Sequence, residues 1–302
     1  MTKVIPPRLI EHLAWKPGQA SPEPPVPKSS SHGSGVSVGT ISLDDIVKKG
    51  KTFFSDTQDK GKWIGLPIAM EEAINYATSN GIVVTMPELI AAKIKADKEH
   101  DFWKKWHTVY TEESIGIDKK GLFYKKDEPV VVIVNGGGIL TPGRIKQAYA
   151  DGLIGNSAQY SEDEFEALLE GRGFDETIHM YKLEDIQAGK LPTELPHRFG
   201  VVLPYKTASE TSSGHQKNTP NNPLALARAA SLENLEAYYN LAKDSKDQLG
   251  CWHVYGSDRD PKQPQGRMLL LYSGDNGLNG DSDLDDGGRF VGVAPEAHKT
   301  SE

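Results

Sequence analysis

Pro129-Val-Val-Val-Ile-Val134 is an unbroken run of β-branched residues, and it restricts the fold more than any other stretch of the chain. Branching at Cβ stiffens the side chains and suits a pleated strand. With no polar residue to turn toward water, the run predicts a buried strand at 130–134. The 302 residues, 37% hydrophobic and 25% charged, supply enough chain for a sizeable core in one or two domains.

Asn135-Gly136-Gly137-Gly138 follows the run, and a strand entering a glycine turn invites a nucleotide reading. The dinucleotide template needs a third glycine where Thr141 stands. The P-loop template needs Lys and Ser/Thr where Gly143 is followed by Arg144-Ile145. Both fail at the residues that hold phosphate. Thr141 is instead expected to cap a helix starting at Pro142.

The rest of the chain alternates helical and strand signals. Residues 1–40 are rich in Pro, Ser and Gly and predict a flexible arm. Residues 41–125 read as mostly helical: a helix from the Ser42 cap to Gly50, one from Pro67 closed at Asn80-Gly81, and one from Pro87 reaching Trp103 and Trp106. His100 and His107, with Asp97 and Asp101, would share a face of that last helix, where they read as structural. A short strand is expected at Leu122-Phe123-Tyr124. From 126 to 302 the sequence predicts helices after Thr141 and Ser161 and from Leu224 to Lys243. It also predicts strands at 179–183, 199–203, 252–255, 268–272 and 290–293. The polar stretch 207–223 contains Ser209, Ser212, Ser213 and His215, but no G-x-S-x-G elbow accompanies them and no acid is placed to orient the histidine.

A formal net charge of -8 argues against nucleic acid or an anionic membrane as the main partner. No apolar run approaches the roughly 18 residues of a membrane span, so no membrane insertion is expected. The first residues, MTKVIPPRLIEHLAWKPG, lack an apolar h-region and predict cytoplasmic synthesis outside the general secretory route. Cys251 is the single cysteine, which rules out an intrachain disulfide and a CxxC site.

Ser273 to Gly288, S-G-D-N-G-L-N-G-D-S-D-L-D-D-G-G, is a polar loop between two apolar runs; fourteen of its sixteen residues are Asn, Asp, Gly or Ser. Asp281, Asp283 and Asp285 open like an EF-hand, but Asp286 stands at the turn glycine and Gly292 at the bidentate glutamate. No cofactor is expected, with a calcium site of another kind left open. Leu278 and Leu284 are expected to anchor the loop, and Arg289 to pair with one of its aspartates. A glycine-rich hairpin without a ligand is a further possibility.

Between Cys251 and Val293 the succession G-R-M-L-L-L-Y, a loop dense in Asn, Asp, Ser and Gly, and G-G-R-F-V-G-V resembles the variable region of proteins diversified by diversity-generating retroelements. That family displays its variable region on a C-type lectin fold. Adenine-directed mutagenesis there acts on Asn codons, and adenine-to-guanine changes yield Asp, Ser or Gly. The resemblance implies an α+β chain with a C-type-lectin-like domain over 126–302. It implies recognition of a macromolecular ligand, a protein or surface receptor, without catalysis, on a virion or a displayed surface. The ligand-facing residues it implies are Ser273, Asp275, Asn276, Asn279, Asp281, Ser282, Asp283, Asp285 and Asp286, joined by Tyr255, Ser257, Asp258 and Arg259. The alternative is a calcium-binding module, or an enzyme of unknown substrate, using the Gly136 turn or the acidic loop.

Overall fold

The apolar run at Val130 lies in the middle of a nine-stranded sheet. The structure, a computed structural model, describes residues 41–295 except 60, 61, 79, 173–176, 193, 256–258, 282 and 283. The expected flexible arm, 1–40, lies outside the described residues.

Along the chain the strands are β1 (Lys51–Ser55), β2 (Gln58–Asp59), β3 (Lys62–Trp63), β4 (Ile82–Val83) and β5 (His107–Asp118). β6 (Glu128–Asn135), β7 (Ala158–Gln159), β8 (His179–Lys182) and β9 (Phe199–Pro204) follow. The last are β10 (Gly214–Gln216), β11 (Leu249–Trp252), β12 (Gln265–Leu271), β13 (Leu278–Asn279) and β14 (Gly288–Val293). The large sheet has the order β10-β11-β13-β12-β5-β6-β9-β8, with β7 also paired to β12. A smaller sheet has the order β1-β14-β4.

β6 explains its own composition. Val131 and Ile133 enter one core cluster while Val130, Val132 and Val134 enter another, so both faces of the strand are covered and alternation with polar residues has no use. The helices Met86–Lys95, Pro223–Ala229 and Leu232–Ala242 supply the first cluster; Gly65–Ala77, Pro142–Asp151 and Glu162–Leu169 supply the second.

Several local expectations hold. Ser42 and Ser161 close capping boxes, and the Thr141 hydroxyl accepts from the Arg144 amide at the start of the helix Pro142–Asp151. Others need correction. The helix from Gly65 ends at Ala77, with Thr78, not Asn80-Gly81, taking the left-handed turn at φ 60°. The helix begun at Met86 stops at Lys95; Trp103 belongs to a separate turn, Asp101–Lys104, and His107 to β5. Leu122 and Phe123 form no strand: their amides donate to the Asp118 carboxylate at 3.0 and 2.9 Å in a turn. Residues 224–243 are two helices, broken where Ala230 adopts φ 53°.

The expected division at 125/126 falls inside the β5–β6 hairpin, where eight residue pairs match from Thr111↔Asn135 to Asp118↔Glu128. β14 pairs with β1 and β4, so residues 288–293 complete a sheet begun near residue 51. The hairpin reading of the terminal loop holds for its first part only: β12 pairs antiparallel with β13, Leu271↔Leu278, around residues 272–277. β12 and β14 are in different sheets, and the rest of the loop is the bridge between them.

Candidate functional site

The site is built on β5, whose consecutive residues Glu112 and Glu113 are both buried, one toward each face of the sheet. Glu112 accepts from the Ser114 hydroxyl at 2.6 Å, the Tyr160 hydroxyl at 2.8 Å and the Leu140 amide at 2.8 Å. Burial pushes its carboxyl up against the pull of these donors. Glu113 meets the Arg228 guanidinium through both oxygens, at 2.8 and 3.0 Å. Burial raises the Glu113 pKa, but Arg228, supported by Arg259, outweighs it and holds the carboxyl below its ordinary range. The pair stays ionised.

Arg228 reaches further, donating to the carbonyls of Trp252 at 2.9 Å and Leu278 at 2.8 Å. This ties β11 and β13 to β5. Along the terminal loop the same device recurs. The Tyr238 hydroxyl donates to the Asn276 carbonyl at 2.8 Å, Arg267 to the Asp281 carbonyl at 3.2 Å, and the Tyr149 hydroxyl to the Leu284 carbonyl. The Leu284 amide donates to the Asn156 carbonyl at 3.1 Å. Leu278 and Leu284 are buried, at 0% and 1% exposure, and anchor the loop as expected. Gly288 precedes Arg289 because a Cβ there would meet the Leu66 backbone at 2.6 Å, where β14 crosses the start of the helix Gly65–Ala77.

Outside this frame the loop borders an open cleft of about 270 Å³. Met268, Leu270 and Tyr272 line it along β12 and just past it, Thr108 and Trp106 at the start of β5, and Leu66, Asn279, Leu284, Asp286 and Gly287 at the loop side. Tyr272 is 46% exposed. An apolar floor with a few polar groups at its edge is the composition of a binding surface, and among the described residues no nucleophile with a matched base lies in it.

The structure divides the residues implied by the resemblance. Asn279 and Asp286 line the cleft. Ser273 and Asp285 are part-exposed, and Asp281 is held by its main chain. Asp275 turns inward, accepting from the Trp252 indole at 2.9 Å and the Gly277 amide at 2.8 Å. Asn276, at φ 53°, accepts from Lys93 at 3.2 Å. Burial, with Lys98 adding, brings the Lys93 ammonium down to about 7 against the pull of Asp275.

Tyr255 and Arg259 are part of the buried charge cluster. The Tyr255 hydroxyl donates to Glu113, and Arg259, 1% exposed, donates to the Ser157 hydroxyl at 3.3 Å. The strand expected at 252–255 is instead Leu249–Trp252, and both side chains are drawn to Glu113 rather than to the loop surface. Ser257, Asp258, Ser282 and Asp283 lie outside the described residues. Arg289 pairs with none of the loop's described aspartates; its guanidinium lies 4.5 Å from the Phe54 ring centroid and 4.8 Å from that of Trp106.

The cleft's aromatic and apolar lining is not evident from the sequence, which places Trp106 in a helix and Leu270 and Tyr272 in a strand; a tyrosine closing an apolar strand at the edge of a polar loop is the signal it offers.

The Gly136 turn is filled by the chain itself. Cβ atoms at Gly136, Gly137 and Gly138 would strike Arg198, Tyr110 and Glu112. Among the described residues, no three His, Cys, Asp or Glu side chains gather as metal ligands. His100 caps a turn, accepting from the Phe102 amide at 3.2 Å, and His107 is buried in β5. No described helix is long and apolar enough to cross a membrane.

No protein-family model and no curated protein matches the chain. A solved structure described as "Accommodation of massive sequence variation in Nanoarchaeota by the C-type lectin fold" is similar to it, with a TM-score of 0.60 and 24% identity. The match covers 82% of this chain and 99% of that one. The chain has the C-type lectin fold, in an α+β architecture.

Proposed function

We propose that this chain is a non-catalytic ligand-recognition protein whose terminal loop and adjoining cleft are a diversifiable surface, as in the variable proteins of diversity-generating retroelements. One observation carries the reading. The loop is tied down at the carbonyls of Asn276, Leu278, Asp281 and Leu284, main-chain atoms that every residue supplies. Outward side chains can therefore change while the loop keeps its path. The solved C-type lectin structure, described as accommodating massive sequence variation, supports the same reading. The target is a macromolecule, a protein or surface receptor, met on a virion or another displayed surface.

Two tests apply. The gene's surroundings should hold a reverse transcriptase and a near-copy of the segment encoding Cys251 to Val293, with adenines where the copies differ. Separately, a display library varying Tyr272, Ser273, Asn279 and Asp286 should stay folded and yield binders to unrelated proteins. Absence of both gene features removes the retroelement reading. A library that unfolds as often as one varied at Leu278 and Leu284 removes the recognition surface.

A further inference from the structure

Arg289 is a charged residue for which no hydrogen bond or ion pair of the guanidinium is formed among the described residues. It lies on β14, a frame strand, opposite Phe54 of β1. Its guanidinium lies against the Phe54 and Trp106 rings, with centroids at 4.5 and 4.8 Å, and those rings meet each other edge-on at 6.0 Å. The two rings therefore form a corner that covers adjacent sides of the guanidinium and leaves its remaining N–H groups free to bond outward.

Among the described residues these N–H groups have no partner. The Nε atom is buried and makes no hydrogen bond, and no ion pair to Arg289 is formed among the described residues. Among the described residues the carboxylate that acts on it is Asp101, which is itself held by Lys105 at 2.6 Å. His107, close by on β5, stays neutral because burial holds its pKa down to about 3, so it neither competes for an anion nor adds positive charge. A desolvated donor without an acceptor is a standing cost to the fold.

Trp106 joins this site to the cleft, since it both lines the cleft and stacks on Arg289. Thr108, another lining residue, accepts from the Arg289 amide at 3.2 Å. We propose that Arg289, seated in the corner of Phe54 and Trp106, is an anchor for a carboxylate carried on an apolar or aromatic body that rests against Trp106 and the cleft. A planar carboxylate matches the guanidinium fork with two parallel N–H···O bonds. A dianion such as phosphate fits less well: one positive charge is available in a chain of net charge -8. This goes beyond the reading above and does not depend on the loop being variable, because Arg289 belongs to the frame.

The test uses the full chain labelled with nitrogen-15 and titrated with sodium benzoate at constant ionic strength. The Arg289 Nε–H and Trp106 indole N–H resonances, assigned with Arg289→Lys and Trp106→Phe, should move together and saturate. Benzamide, the neutral isostere, should leave both unmoved. Arg289→Gln should abolish the response, and Arg289→Lys, which keeps the charge but loses the fork, should weaken it about tenfold or more. The lysine variant keeps the test valid if the glutamine variant does not fold. The proposal falls if benzoate gives no saturable shift into the high-millimolar range. It falls equally if benzamide acts as well, if a folded Arg289→Gln variant still responds, or if inorganic phosphate displaces benzoate at lower concentration. A negative result leaves the library experiment untouched, so the two readings fail separately.

Discussion

Glu113 and Arg228 form a two-pronged ion pair, at 2.8 and 3.0 Å, with neither side chain exposed to solvent. Glu113 belongs to β5 and Arg228 to the helix Pro223–Ala229, and the arginine's remaining donors hold Trp252 and Leu278. The pair is therefore the joint between the central sheet and the terminal loop. Glu113→Gln leaves Arg228 and Arg259 charged and buried without a counter-charge, and should cost about 3–5 kcal/mol of unfolding free energy. Urea unfolding would measure it. Glu113→Gln with Arg228→Met should cost less than the two single changes added together, because the second removes the charge the first strands.

His107 sets a pH dependence. Its ring is buried, and burial first, then Lys93 and Arg289, brings its pKa from 6.5 to about 3 against the pull of the Lys105 main chain. The unfolded chain takes up a proton near pH 6.5 and the folded chain only near 3, so protons favour unfolding between those values. Stability should fall as pH drops through this window, with a slope from this residue of up to about 1.4 kcal/mol per pH unit. His107→Phe should flatten that part of the curve in denaturant titrations run from pH 7 to 4. An unchanged slope would mean the imidazole is solvated.

Frame and surface should separate cleanly within the loop. Leu278 and Leu284 are buried, so either changed to alanine should cost about 2–5 kcal/mol. Ser273→Ala and Asp286→Ala should stay within about 0.5 kcal/mol of the parent, since neither position anchors the loop to the frame. Thermal and urea unfolding of the four variants would check this.

What the sequence hides is mostly charge in the interior. β6 was legible because every residue in it is apolar, and Leu278 and Leu284 because they interrupt a polar run. β5 was not. Its middle, Thr-Glu-Glu-Ser, looks like a solvated turn, and only the partners 115 residues away in Arg228 and 48 away in Tyr160 make burial of the glutamates tolerable. Periodicity reports which residues avoid water and is silent on which polar groups will find each other. The same blindness placed Tyr255 and Arg259 on the surface and Arg289 in an ion pair. The cleft was illegible for a related reason: Trp106 and Tyr272 are far apart in sequence and meet only across the paired ends of β5 and β12.

Gly280 offers a test that sets structure against composition. Read as one more member of the Asn, Asp, Ser and Gly set, it should be freely exchangeable. The fold says otherwise, because the loop passes over the Glu113–Arg228 pair there. A Cβ would overlap the Arg228 Nη2 atom and stand 2.9 Å from the Glu113 Oε1 atom. Elsewhere a flexible arginine tip would move aside, but this one is fixed by Glu113 and by the carbonyls of Trp252 and Leu278. Gly280→Ala must lift the loop or bend the ion pair, and should cost about 1–3 kcal/mol. Gly274, whose added Cβ would meet the ring of the exposed Tyr272, should tolerate alanine with little loss, since that ring can swing into solvent. The comparison of Gly280→Ala with Gly274→Ala by urea unfolding decides it, and equal stability in the two variants would show that the loop does not bear on the buried pair.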